Sequence, residues 1–509
     1  MKKHILLTLL LGLLIQYSYG QARSIDTLNK YIPKQMEHFE TPGLGIAIVQ
    51  DGEIKYAKGF GTRTINKTEP VDNNTLFGIG SISKSFTPVA LAMLVDEGKL
   101  GLDDKVIKYL PYFQLYDPYV TNAFTIRDLL THRSGLKAVS GGTLWYHTDY
   151  SRKDIIKRLK YLKPVTGFRE RPAYQNTMFI VASKIVEAVI DGSWDNFIRE
   201  RIFKPLQMNN TVITQAERKR SNNISSPHIK DKTLKLISVE QEKLDNMAPA
   251  GSIYASAVDM ARYMNFVLND GVVGNDTLVK PKTFREILKP QILYKASSGP
   301  IHNEFSSYGL GWWVTPKNGN KIIDHSGGID GMRANCLMVK NKDFGVIVLS
   351  NSSASWLATS LMYDIAGNFL KDEEYKDFTH LLYDFFPEKD SIAAARHESA
   401  KGKQISGTKP SLEMKAYAGT FTDDMYGDIN IKQKDGEYQI TFEHTPLFTG
   451  VLKHWHYDTF EIIWDAPQVL NGFLTFEFDK KRNIIGFKLD QPDLLDVDFS
   501  ELDIKKKRQ

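Results

Sequence analysis

Hydrophobic and polar positions along the chain change period several times, and each change marks an element. Helical spacing from Ser24 to Phe39 gives way to Gly45-Ile46-Ala47-Ile48-Val49-Gln50, then Asp51-Gly52, then a second extended run from Glu53 to Lys58. Asp-Gly between two such runs predicts a β-hairpin, because the two-residue turn needs positive φ at both central positions. Further extended runs come much later, at Lys321 to Asp324, Ala334 to Val339 and Phe344 to Leu349, and helical spacing follows from Trp356 to Leu370. Between these groups the pattern is mostly helix and loop. Phe86, Val89, Ala90, Met93 and Leu94 recur at helical intervals before Gly98, and similar patterns run from Met178 to Val189 and from Val258 to Leu268. Tyr308 to Val314 reads as one glycine-punctuated strand. The economical architecture is α+β: one antiparallel sheet built from both ends of a domain, with helices packed on it and inserted between its strands.

The pattern breaks again near residue 387. From Pro387 to Pro410 the chain is polar and holds Gly402 and Gly407 among charged residues that include those at 389, 390, 398, 401 and 403. Short strand-like runs then follow at Asp428 to Lys432, Tyr438 to Phe442, Thr459 to Trp464, Phe473 to Phe478 and Ile484 to Leu489, with Asp435-Gly436 between the first two. Regular spacing with turn signals predicts a small all-β barrel or sandwich. The predicted organisation is a leader over 1–20, a first domain over 21–386, a linker over 387–410 and an all-β domain over 411–509. Such a linker implies few contacts between the two domains.

The leader follows from Met1-Lys2-Lys3-His4, an apolar run from Ile5 to Ile15, and small residues Ser18 and Gly20 before a cut after Gly20. The run is shorter than the roughly 20 residues a membrane span requires. An exported protein is expected, in the periplasm or secreted, without a stable membrane anchor. The net charge of +5 over 509 residues is small, and part of it sits in the leader and in Lys505-Lys506-Lys507-Arg508. Nucleic acid is therefore not an expected partner. One cysteine, Cys336, excludes an intrachain disulfide, and its apolar neighbours place it in the core. No cofactor or metal is indicated. His454-Trp455-His456 near Asp458 reads as a paired surface rather than a metal site.

Chemistry concentrates in three short stretches. The first is Phe77-Gly78-Ile79-Gly80-Ser81-Ile82-Ser83-Lys84. A serine needs a neighbouring base to become a nucleophile, and a lysine three residues on lies on the same helical face. It can act as that base if burial lowers its pKa. Ser-x-x-Lys also occurs at Ser134/Lys137 and Ser406/Lys409, but only Ser81/Lys84 opens an apolar helix. Pro88 cannot donate to the carbonyl of Lys84, so an irregular helix is expected just beyond. The second stretch, Tyr174-Gln175-Asn176, puts a phenol and a carboxamide at the mouth of a helix. A second Tyr-x-Asn, Tyr263/Asn265, lies within a helical pattern. The third, Asp324-His325-Ser326-Gly327-Gly328, is a strand ending in glycines and the only His-x-Gly in the chain. His132, in Leu129-Leu130-Thr131-His132-Arg133-Ser134-Gly135, reads as a structural turn residue.

Ser-x-x-Lys, Tyr-x-Asn and His-x-Gly in this order resemble the penicillin-recognising serine hydrolases, over roughly Ile25 to Leu370. The resemblance is to the branch of class C β-lactamases, D-amino-acid peptidases and esterases. It includes the supporting Leu-Leu-Thr-His-x-Ser-Gly-Leu and Pro249-Ala250-Gly251 stretches. It implies a β-lactamase/transpeptidase-like fold and an acyl-enzyme formed on Ser81, with Lys84 and Tyr174 handling its proton. Backbone N–H groups of Ser81 and Gly328 would make an oxyanion hole. Asn176, His325 and Gly327 would bind a small-molecule or peptide substrate, His325 at its carboxylate. No Lys-[Ser/Thr]-Gly occurs anywhere, so the third motif looks like that of the peptidase and esterase relatives. A D-amino-acid-type peptidase or esterase is expected, with a β-lactamase or a non-catalytic penicillin-binding sensor or scaffold as alternatives. The C-terminal domain resembles the lipocalin-like domain attached to some of these hydrolases.

Overall fold

A computed structural model of the chain describes residues 25–241, 243–294, 305–370, 378–385, 402, 404–491, 494 and 496–507. The expected leader and most of the expected linker lie outside them. Among the described residues no helix is long and apolar enough to cross a membrane.

The chain begins with helix α1 (Ile25–His38) and a hairpin of β1 (Gly43–Gln50) and β2 (Glu53–Gly61). Asp51 and Gly52 both take positive φ, 52° and 74°, as the sequence requires of that turn. Six strands from the other end of the domain complete the sheet: β3 (Ile292–Tyr294), β4 (Ser306–Tyr308), β5 (Trp313–Lys317), β6 (Asn320–Ile329), β7 (Met332–Val339) and β8 (Phe344–Ser350). The order is β2-β1-β8-β7-β6-β5-β4-β3, and every pairing is antiparallel. The run from Tyr308 to Val314 is not one strand. Gly311, at φ 80°, helps turn the chain between β4 and β5, where it packs against the Lys84 carbonyl.

Strand β1 lies between two others and is covered on both faces, so it lacks the polar alternation of a half-buried strand. Leu44, Ile46 and Ile48 face α1 and a later helix, Leu357–Leu370, in one apolar layer. Ala47 and Val49 face a larger core on the other side. That core surrounds α2 (Phe86–Asp96), whose residues Phe86 to Leu94 are all buried. The helical spacing suggested a one-sided helix, but α2 is central, as an apolar surface all round implies. Pro88 is accommodated by a break. Gly80–Ser85 forms a 3₁₀ turn and α2 starts afresh at Phe86, which places Pro88 in a first turn where its missing N–H costs nothing. Cys336, on β7, is buried in the same core.

The C-terminal part is a closed eight-stranded antiparallel barrel. Its strands are β9 (Gly419–Asp423), β10 (Gly427–Lys434), β11 (Glu437–Phe442), β12 (Thr445–His456), β13 (Thr459–Trp464), β14 (Gly472–Phe478), β15 (Ile484–Asp490) and β16 (Lys505–Lys506). The sequence reading missed β9, β12 and the short closing strand. Phe421, Phe442, Phe448, Phe460, Phe476 and Phe487 are buried here and pack ring against ring. An eight-stranded barrel is narrow enough for side chains to fill it.

The two parts share a core, contrary to the expectation of few crossing contacts. Tyr146 stacks on Phe448, Tyr150 donates to the Tyr426 carbonyl, Lys137 pairs with Asp498, and the Gly141 N–H donates to Glu501 at 2.8 Å. One buried apolar cluster runs through both. Ending the chain at residue 386 is therefore expected to lower the thermal midpoint and bare Tyr146 and Tyr150 to a hydrophobic dye. An unchanged midpoint with no dye binding would show that the shared cluster contributes nothing to stability.

Candidate active site

The turn Gly80–Ser85 meets strand β6 through glycines. A Cβ on Gly80, at φ 51°, would lie 2.4 Å from the Gly328 nitrogen, and one on Gly327 would lie 1.9 Å from the Ile79 carbonyl oxygen. Neither contact is sterically possible, so only glycine lets these backbones touch. The close approach brings Ser81 and Gly328 onto one narrow pocket, together with Asn176.

Lys84 is fully buried, with its Nζ 2.9 Å from Ser81 Oγ, 2.6 Å from Asn176 Oδ1 and 2.8 Å from the Ala250 carbonyl oxygen. Burial lowers its pKa from 10.5 to about 7, although the Asp496 carboxylate acts in the opposite direction. The partner set matters. A neutral amine has two N–H donors and one lone pair. Two of its neighbours are carbonyl oxygens, which only accept, so both N–H bonds are used there and the lone pair faces Ser81.

Asn176 stands at the N-terminal end of α3 (Thr177–Ile190) but does not cap it with its side chain. The amide is used elsewhere: Oδ1 holds Lys84 and Nδ2 donates to Asp496 Oδ2 at 2.7 Å. Asparagine is among the best N-caps, so its diversion from that role is the kind of local conflict found at functional sites. Tyr174 lies against Lys84, its ring centroid 4.6 Å from Nζ. The Tyr174 hydroxyl is buried and makes no well-formed hydrogen bond among the described residues. Burial drives its pKa well above 10, opposed by the nearby Ser81 hydroxyl.

His325, expected at a substrate carboxylate, is buried with both ring nitrogens engaged. Its Nδ1 is 2.6 Å from the Ser326 carbonyl oxygen, which can only accept, so Nδ1 bears the proton. Nε2 is then an acceptor for the Tyr308 hydroxyl at 3.0 Å. Burial, with Lys84 nearby, lowers the pKa of His325 to about 3. That lies far below the value near 6.5 of an unperturbed histidine, so burial favours the neutral imidazole.

His132 has a larger structural part than its sequence suggested. It is buried at φ 57°, and its Nδ1 accepts the Gln175 N–H at 3.0 Å while its carbonyl accepts the Ala173 N–H at 2.7 Å. Its ring packs 4.3 Å from that of Tyr174. Both bonds fix the loop that carries Tyr174 and Asn176. The other candidates lie apart from this arrangement. Lys137 of the second Ser-x-x-Lys pairs with Asp498, and Tyr263 stacks on Phe86 in the core. His454 is bonded to the Tyr457 carbonyl, and among the described residues no group of three or more His, Cys, Asp or Glu could hold a metal ion. Asp496 was missed. It belongs to the C-terminal part, and no short-range pattern links it to residues 320 positions earlier.

Comparison with known proteins bears on the family and the fold. The family model described as Beta-lactamase matches residues 28–363, and one described as Domain of unknown function (DUF3471) matches residues 403–507. Unguisins hydrolase ungD' of Aspergillus campestris is 26% identical over 427 residues, covering 79% of this chain and 76% of that protein. Protein flp of Staphylococcus aureus strain MW2 is 24% identical over 341 residues, covering 66% of this chain and 64% of that protein. Among solved structures, the octameric penicillin-binding protein homologue from Pyrococcus abyssi aligns with a TM-score of 0.59 at 22% identity. It covers 95% of this chain and 100% of its own, so the likeness in fold extends through the barrel.

Proposed function

We propose that this chain, which belongs to the Beta-lactamase family, is an exported serine hydrolase that cleaves amide or ester bonds through an acyl-enzyme, as a D-amino-acid-type peptidase or an esterase. The observation that carries the reading is the partner set of Lys84. Two carbonyl acceptors and the Ser81 hydroxyl around a buried amine of pKa about 7 leave its lone pair to take the serine proton. Ser81 Oγ then bonds to the acyl carbon while the bond to the leaving group breaks. N–H groups of Ser81 and Gly328, which line the same pocket, would stabilise the developing oxyanion.

Tyr174 suits the acid role. Its phenol stays protonated far above neutral pH, so it delivers a proton to the departing amine or alcohol, which Lys84 then makes good. Water enters by the reverse path to release the acid. A neutral His325 supports uncharged or cationic substrates over carboxylates, and the missing Lys-[Ser/Thr]-Gly also weighs against lactams.

The test is to label the purified protein with a fluorophosphonate and to assay D-amino-acid amides, short-chain aryl esters and a chromogenic cephalosporin. Label on Ser81, with amide or ester turnover exceeding that of the cephalosporin, is the expected result. An unlabelled Ser81 would remove the acyl-enzyme, and dominant cephalosporin turnover would make the protein a β-lactamase.

A further inference from the structure

We infer that Val139 is a positioning residue for Tyr174: the barrel clamps the turn from Lys137 to Gly141, and the clamped turn makes the Val139 N–H hold the Tyr174 carbonyl. The inference rests on the hydrolase reading, in which Tyr174 protonates the leaving group, and concerns how that acid is held in place.

The loop that carries Tyr174 is gripped by two non-glycine residues with positive φ. His132, at φ 57°, takes the backbone N–H groups of Ala173 and Gln175. Val139, at φ 58°, donates its N–H to the Tyr174 carbonyl at 2.7 Å. The Lys137 carbonyl adds a further contact by accepting from the Gln175 side-chain amide. These bonds matter because the Tyr174 phenol makes no well-formed hydrogen bond of its own among the described residues. Its place beside Lys84 is set by its backbone and by ring contacts such as the one with His132.

Val139 breaks a local rule to do this. The Ser140 N–H donates to the Lys137 carbonyl at 3.2 Å, which closes a turn with Val139 as its third residue. Positive φ at that position ordinarily calls for glycine or asparagine. A β-branched residue rarely adopts it, and such a conformation persists only where the surroundings impose it. Here they do so from both sides. Before Val139, Lys137 pairs with Asp498; after it, the Gly141 N–H donates to Glu501 at 2.8 Å. The two carboxylates act as one clamp, because Asp498 also accepts the Ser500 N–H at 2.9 Å and so caps the short 3₁₀ turn that ends in Glu501. Released from that clamp, valine would relax to negative φ and take its N–H away from Tyr174.

The test uses full-length protein and one ratio: kcat/KM for an ethyl ester divided by that for the 4-nitrophenyl ester of the same short acid. Ethoxide is too basic to depart without a proton, whereas 4-nitrophenolate leaves unaided. Misplacing the acid therefore lowers the ratio, while general loosening of the site slows both esters alike. Lys137→Met combined with Glu501→Ala removes both anchors. It is expected to lower the ratio about tenfold, part of the hundredfold or more that a well-placed acid contributes. Adding Val139→Asn, which favours the left-handed conformation unaided, should return the ratio to within about twofold of the parent. Val139→Pro, with the anchors intact, removes the N–H and forces negative φ, and should also lower the ratio about tenfold. An unchanged ratio in the two-anchor variant or in Val139→Pro overturns the inference. So does a lowered ratio that Val139→Asn fails to restore, since the anchors would then act by another route. The two variants disturb the same backbone bond by different means, so if one fails to fold the other decides. Fluoride leaves a fluorophosphonate without a proton from Tyr174, so labelling of Ser81 tests the hydrolase reading separately and the two fail independently.

Discussion

Ser81→Ala is expected to lower kcat/KM by about ten-thousand-fold or more, and to abolish fluorophosphonate labelling, without changing the thermal midpoint appreciably. The scale follows from losing the atom proposed to form the acyl-enzyme, which would leave just binding and oxyanion stabilisation. The small structural effect follows from the contacts. Ser81 Oγ bonds Lys84, but Asn176 and Ala250 still hold that amine when the hydroxyl is gone. Ser134→Ala and Ser406→Ala, at the two other Ser-x-x-Lys sequences, should keep parental rates. Ser134 lies in the turn beside His132, and Ser406 lies outside the sheet domain. Substantial activity in Ser81→Ala, measured on the best amide or ester substrate, would transfer the nucleophile elsewhere.

What could be read from the sequence was whatever depended on near neighbours. Ser81 and Lys84 are three residues apart, so their meeting needs only one turn, and the glycines around them signal a close backbone approach that β6 provides. Tyr174 and Asn176 lie within one tripeptide at the start of a helix. The sheet was legible because Asp51-Gly52 signals a hairpin turn and the runs around it and late in the chain are short and apolar, while burial on both faces explains why β1 shows no alternation. What stayed hidden depended on distant contacts. His325 looked like an ordinary titrating histidine until Tyr308 and the Ser326 carbonyl fixed its protons and burial removed its charge. Asp496 sits in Leu494-Leu495-Asp496-Val497-Asp498, which reads as a loop between strands. Only the docking of the barrel brings it to Asn176. The polar linker misled for a related reason: composition describes the connection and says nothing about the surfaces it allows to meet.

Lys84 carries the second large effect, and it should appear in both rate and stability. On an uncharged ester, whose own ionisation does not change, kcat/KM is expected to rise about tenfold per pH unit below pH 7 and to level off above it, because only the neutral amine accepts the serine proton. Lys84→Met, which keeps the length of the side chain without a base, should lower kcat/KM by about a thousandfold. The stability change is linked to the same proton. The folded-state pKa of about 7 lies below the unfolded value of 10.5, so the unfolded chain holds more protons between those limits. Stability therefore increases with pH across that window, and the cost of burying Lys84 is complete below pH 7. A shift of that size corresponds to about 5 kcal/mol. Methionine carries no such cost, but it leaves Asn176 Oδ1 and the Ala250 carbonyl without their donor, at about 1–3 kcal/mol each. That loss does not vary with pH, so the difference between variants isolates the lysine. Denaturant unfolding of the Lys84→Met and parent proteins at a series of pH values should show the variant's relative stability falling by about 5 kcal/mol from pH 7 to 10.5. A difference that does not change with pH would mean that Lys84 titrates as an ordinary lysine. It would then be a cation at neutral pH, with no lone pair for Ser81, and the acylation base would have to be sought at Tyr174.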